Sequence, residues 1–183
     1  MLIGDNMKKY LIFLMGIVFF LGGCSTYVPR YSPSVDNVEI IRSLSSEKKI
    51  NVGPFTSTDA GKSSFYLTRC NPITTSDGKP FADYVRKAFI DELRMAGIYS
   101  NDAQLVIKGH LETIDFSSVT GKWFLVLAVS SNTNQSFTVE ETYDYSTSFI
   151  GTVACNRTTQ AFLPAVQNLI KKVLNHPSFQ EML

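Results

Sequence analysis

Residues 122–131 read Lys-Trp-Phe-Leu-Val-Leu-Ala-Val-Ser-Ser, and from Trp123 to Val129 every position is apolar. Alternate side chains of a strand point to opposite faces, so a run that is apolar at odd and even positions alike belongs in the middle of a sheet, with cover expected on both sides. Short polar breaks flank it, Val119-Thr120-Gly121 before and Asn132-Thr133-Asn134 after. Beyond them residues 104–116 and 137–149 also carry strand character. Three such segments in succession predict an antiparallel meander. In the third, Phe137, Val139, Glu141, Tyr143, Tyr145 and Phe149 share one face, while Glu140, Thr142, Asp144 and Ser146 share the other, so this strand has one wet side.

Upstream of the meander, Pro80 opens a helix, where its missing N–H costs little. Phe81, Val85, Ala88, Phe89, Leu93 and Ala96 recur at helical spacing up to a Gly97 stop. Asp83, Arg86, Lys87, Asp91 and Arg94 make the opposite, charged face. Before this helix, residues 56–79 are rich in Ser, Thr, Gly, Asp and Asn and contain Cys70. A loop of that length in a compact domain is expected to be either functional or pinned. Residues 49–55 supply a first strand, with Pro54 marking an edge or an end. Downstream of the meander, Phe162, Ala165, Val166, Leu169, Ile170, Val173 and Leu174 predict a helix over 157–175. Pro164 should bend that helix or mark its late start, and Pro177 ends it. Phe179, Met182 and Leu183 imply a tail that packs back. The order β-α-β-β-β-α predicts an α+β fold: an antiparallel-rich four-stranded sheet with two helices on one face.

Two helices cover one face only, so one apolar set of the 122–131 strand is left over. Trp123, Leu125 and Leu127 are the candidates for a binding face, and Phe124, Val126 and Ala128 form the alternative set. The uncovered set either lies beneath the 56–79 loop or the C-terminal tail, or receives a partner protein or a lipid.

The N-terminus carries a different kind of signal. Lys8 and Lys9 precede an unbroken apolar run over 11–21, followed by Gly22, Gly23 and Cys24. The run is too short for a transmembrane helix, which takes roughly 20 residues, and matches the apolar core of a secretory signal peptide. Asp5 is out of character for such a leader, which points to Met7 as the natural start. Leu21-Gly22-Gly23-Cys24 resembles the bacterial lipobox. That resemblance implies removal of residues 1–23, a lipid on Cys24 and delivery, with Ser25 following, to the outer membrane. Several acyl chains, each methylene contributing about 0.8 kcal/mol when buried, would make the anchoring effectively permanent. The expected organisation is a removed leader over 1–23, a lipidated tether over 24–47, and one periplasmic domain over 48–183.

Composition narrows the function. Losing Lys8, Lys9 and Asp5 reduces the 17 basic and 16 acidic residues to 15 of each. A chain without basic excess or a basic stripe is not expected to bind nucleic acid. With Cys24 lipidated, Cys70 and Cys155 remain, and in an oxidising compartment they are expected to pair. On the chain-entropy account a loop of that size contributes about 4.6 kcal/mol.

Candidate chemistry is sparse. The two histidines, His110 and His176, are separate in sequence: His110 reads as a surface imidazole and His176 as a helix-end residue. Glu141, on an otherwise apolar strand face, reads as a rim residue or as the partner of a helix side chain such as an arginine. No catalytic residue, metal ligand or cofactor site is assigned.

An anchor, a tether and a β-α-β-β-β-α domain together resemble the small periplasmic lipoproteins that serve larger envelope machines, among them the lipopolysaccharide-assembly lipoprotein and the auxiliary lipoproteins of ABC-type transport systems. The resemblance implies a non-enzymatic outer-membrane accessory that binds or scaffolds an envelope protein partner. Direct lipid handling and a periplasmic enzyme stand as the competing readings.

Overall fold

The computed structural model describes residues 26–44, 48–67 and 70–183, with residues 67, 70 and 71 described in backbone alone. The leader over 1–23 and the lipidation at Cys24 lie outside the described residues. The elements in chain order are β1 (Thr26–Tyr27), α1 (Val35–Leu44), β2 (Ile50–Ser57), β3 (Ser64–Leu67), β4 (Cys70–Thr74), α2 (Phe81–Ala96), β5 (Leu105–Ser117), β6 (Lys122–Ser131), β7 (Ser136–Asp144), α3 (Gly151–Asn175) and α4 (Pro177–Met182).

The fold is α+β. Its main sheet has the order β2-β5-β6-β7. The meander β5-β6-β7 is antiparallel, and β2 joins β5 in parallel because α2 carries the chain back to the end from which β2 started. Helices α2 and α3 lie on one face of this sheet, α2 against β2 and α3 against β6 and β7. The predicted stop at Gly97 holds: its φ of +83° is the left-handed cap that glycine adopts without strain. Helix α3 begins six residues earlier than expected, at Gly151, and runs through Pro164. Phe179 and Met182 of α4 are buried, as the apolar tail implied.

Two regions differ from the expectation. The stretch 56–79 is no plain loop: β3 and β4 form an antiparallel hairpin that β1 extends into a second sheet, of order β1-β4-β3. Phe65 of β3 packs edge-on against Phe116 and Trp123, with centroids 5.2 and 5.8 Å away, which docks the small sheet on the β5–β6 end of the large one. The 24–47 tether is likewise corrected. Residues 26–44 belong to the domain, with Val28, Val38 and Ile41 in the core and α1 packed on α2 and α3.

A buried polar cluster explains why this segment stays down. Glu92 of α2 is fully buried, and its Oε1 accepts from the Tyr31 hydroxyl at 2.5 Å, the Ser34 N–H at 2.9 Å and Asn37 Nδ2 at 3.1 Å. Asn37 Nδ2 also reaches the Gln167 carbonyl of α3 at 3.0 Å. Three donors from the N-terminal segment thus converge on one carboxylate oxygen. Stripping any of them leaves a buried polar group short of a partner. Burial first, and the Glu92 carboxylate next, push the Tyr31 hydroxyl well above its ordinary pKa, so it stays a donor.

Candidate binding surface

The pleat of β6 settles which apolar set is inside. Trp123, Leu125, Leu127 and Val129 are buried against the helices, so the proposed binding face at Trp123, Leu125 and Leu127 is corrected to core. Helix α3 lays Phe162 on Trp123 with centroids 4.8 Å apart, and the buried indole N–H donates to the Thr158 carbonyl at 2.8 Å. That bond is available on the helix side only, which fixes the register of the strand.

The other set turns outward. Phe124, Val126 and Ala128 are half-buried, and the elements packed most extensively on β6 are β5, β7 and, on the inner face, α3. Their partial cover comes from cross-strand neighbours. Phe124 sits between Asp115 and Thr142, Val126 between Thr113 and Glu140, Ala128 between His110 and Thr138, and Ser130 between Lys108 and Ser136. The expectation that the 122–131 strand would be covered on both sides is therefore met on the inner side alone. Phe65 and the C-terminal helix both add their cover on the helix side, Phe179 packing against Phe89. The result is an open sheet face with an apolar spine one strand wide and charged or hydroxyl side chains along both margins.

The titratable residues singled out in sequence are held by structural bonds. His110 Nδ1 lies 2.7 Å from Thr56 Oγ1 and its Nε2 lies 3.3 Å from Thr58 Oγ1, on a shallow open concavity of about 430 Å³ at the β2 margin. His176 stacks on Phe137, centroids 4.1 Å apart, and its Nδ1 accepts from the Ser178 N–H at 3.2 Å, capping α4. Glu141 is buried and pairs with a helix side chain, as its odd position implied: Lys172 Nζ of α3 lies 2.8 Å from Oε2, and Asn168 Nδ2 is 3.3 Å from Oε1. Among the described residues no three His, Cys, Asp or Glu side chains gather as a metal-ligand set.

A wider open cleft of about 590 Å³ runs along α2 and bears Arg30, Lys79, Arg86 and Arg94 together with Asp77 and Asp83. Three of the cations that line it are engaged: Arg86 donates to the Val52 and Gly53 carbonyls at 2.8 and 2.7 Å, Lys87 pairs with Asp91 at 2.8 Å, and Arg94 stacks over Tyr99.

Cys155 is disulfide-bonded and buried near the start of α3. Its expected partner Cys70 opens β4, which α3 contacts, but the Cys70 side chain lies outside the described residues. The buried Glu92 was missed in sequence. Its signal was present: position 92 follows Ala88 by four and Phe89 by three, which puts a carboxylate on the apolar stripe of α2.

No family's sequence profile matches the chain, and no curated protein is similar to it in sequence. Among solved structures it is similar to the crystal structure of protein XCC0632 from Xanthomonas campestris, of the family model DUF330. The two share 10% identity at a TM-score of 0.48, over 81% of this chain and 93% of that one. A likeness at that level says nothing of what this chain does.

Proposed function

We propose that this chain is a lipoprotein of the outer membrane, anchored through a lipid on Cys24 and facing the periplasm, and that it serves without catalysis as a binding or scaffolding accessory of a cell-envelope complex. The observation that carries the binding part is the open outer face of β6. Phe124, Val126 and Ala128 form a half-buried apolar spine on the outer face, set between polar margins that could fix the register of a partner. Apolar centre and polar rim are the usual anatomy of a protein-binding patch. The anchor rests on the sequence Leu21-Gly22-Gly23-Cys24. No described helix is long and apolar enough to cross a membrane.

The competing readings draw less support. Lipid handling calls for an enclosed apolar cavity of several hundred Å³, whereas the apolar gap between Phe55, Phe89, Leu127 and Ile170 holds about 10 Å³ and the concavity beside Val119, Phe149, Ala154 and Cys155 about 150 Å³. Catalysis at His110 or Glu141 calls for a deep polar pocket. The imidazole instead borders a shallow concavity, and Lys172 closes over the carboxylate.

The test is isolation of the protein from detergent-solubilised outer membranes after mild crosslinking in cells, with the intact mass of the N-terminal peptide read from the same sample. A Cys24 bearing a diacylglyceryl thioether and an acylated amine, and one co-isolating envelope complex, lost in Cys24→Ala, are the expected results. An unmodified Cys24 sinks the anchor, and an anchored protein with no partner sinks the accessory role.

A further inference from the structure

We propose that the molecule touches the membrane with a defined apolar tip, formed by Val119, Phe149 and Ile150, which dips into the lipid surface that carries the Cys24 anchor. The proposal rests on the lipoprotein reading above. These three side chains are among the most exposed large apolar groups of the described chain, Phe149 entirely so and Val119 and Ile150 at 73% and 64%. They stand on two loops, the β5–β6 turn and the connector from β7 to α3.

The two loops form one rigid piece. The Tyr145 N–H donates to the Gly121 carbonyl at 2.7 Å, the Thr147 hydroxyl donates to the Ser118 carbonyl, and Arg157 donates to the Thr147 carbonyl at 2.6 Å. Gly121 is required for the junction: its φ is +69°, and a Cβ there would stand 2.1 Å from the Tyr145 carbonyl oxygen. The exposed guanidinium of Arg157 places a positive charge beside the apolar groups, where lipid phosphates would lie. Apolar side chains held out on bonded loops, mostly uncovered by the rest of the chain, suit an apolar surface outside it.

The course of the chain says which surface. From β1 onward, the Pro29 carbonyl accepts from Tyr84, Tyr31 meets Glu92, and Arg42 donates to the Met95 carbonyl. The segment therefore climbs α2 from its first turn to its last. The first turn lies at the tip end of the molecule, where Phe81 packs on Phe65 and Phe65 on Phe116, beside the β5–β6 turn. The last turn lies at the opposite end, where Ile50 pairs with Tyr99 and Leu105. Followed backwards, the chain reaches Thr26 at the tip end, and the anchoring Cys24 precedes it by two residues in the sequence. With residues 26–44 folded into the domain, no long tether separates the lipid from the protein. The anchor holds the tip end, and not the Met95 end, against the bilayer.

The experiment places a tryptophan on the tip. Full-length, lipidated Phe149→Trp protein is reconstituted into phosphatidylethanolamine–phosphatidylglycerol vesicles containing brominated lipid, and its emission is compared with that of the parent, whose one tryptophan, Trp123, is buried. Met95→Trp, exposed at the far end, is the control. The expected result is loss of most of the emission that the Phe149→Trp substitution adds, with a blue shift, while the emission from position 95 and from Trp123 is retained. Equal quenching at positions 149 and 95, or none at 149, overturns the tip. The mass of the Cys24 peptide is measured on the same preparation. A lipidated Cys24 with unquenched emission from position 149 refutes the tip and leaves the anchor standing, whereas an unmodified Cys24 refutes both.

Discussion

The two faces of β6 differ by one residue in phase and by almost everything in environment. Trp123, Leu125, Leu127 and Val129 lie under α3 and are essentially inaccessible; Phe124, Val126 and Ala128, as apolar in sequence, look outward between rows of polar side chains. Apolar character alone did not sort them. What sorts them is where the polar atoms attached to each face find partners: the Trp123 indole N–H has the Thr158 carbonyl on the inner side, and Asp115, Glu140 and Thr142 have water on the outer. An apolar set that packing does not require at the core is therefore free for another use, and the outer set is the one we assign to binding.

The largest expected effect is on the inner face. Leu125→Ala should lower stability by about 2–5 kcal/mol, read as a fall in the urea midpoint, because the helices above it cannot collapse fully into the void. A similar loss from Val126→Ala would erase the distinction between the faces.

Next comes the polar cluster that holds the N-terminal segment on the helix layer. Tyr31→Phe removes one donor to the buried Glu92 oxygen and should cost about 1.5–3 kcal/mol. The same variant has a pH signature. Burial and Glu92 raise the Tyr31 hydroxyl above its unfolded value, so its contribution is complete below pH 10 and is lost as pH climbs from there through the folded value. Tyr31→Phe should therefore lose stability less steeply above pH 10 than the parent, in urea titrations at stepped pH.

Cys155→Ala should lower stability by about 2–4 kcal/mol under oxidising conditions and by much less once the parent is reduced. The smallest effect is expected on the outer face. Val126→Ser should change the urea midpoint by no more than about 0.5 kcal/mol in equivalent stability, while removing an apolar contact from the surface assigned to a partner.

The main sheet, α2 and the later part of α3 were legible because their periodicity is local: seven apolar positions in 122–131, helical spacing from Phe81 to Ala96, a stripe from Phe162 to Leu174. The N-terminal segment was not. Val28, Val38 and Ile41 are few, Pro29 and Pro33 interrupt them, and what fastens the segment is Glu92 and Gln167, 55 to 135 residues away in sequence. The β3–β4 hairpin hid in a Ser- and Thr-rich stretch for a related reason, since Phe65 and Ile73 are core residues only once β1 and the large sheet are beside them. The binding surface was half legible. Two apolar sets could be read from 122–131, but the choice between them depended on the Thr158 carbonyl of a helix whose first six residues carry weak helix signals.

The most direct test of the outer face is a photo-crosslinking amino acid placed in turn at Val126, Phe124 and, as control, Met95, with adducts resolved from living cells. A discrete adduct with one envelope protein is expected from Val126 and Phe124, absent from Met95 and abolished by Cys24→Ala. Adducts from Met95 but not from the two outer-face positions would contradict it.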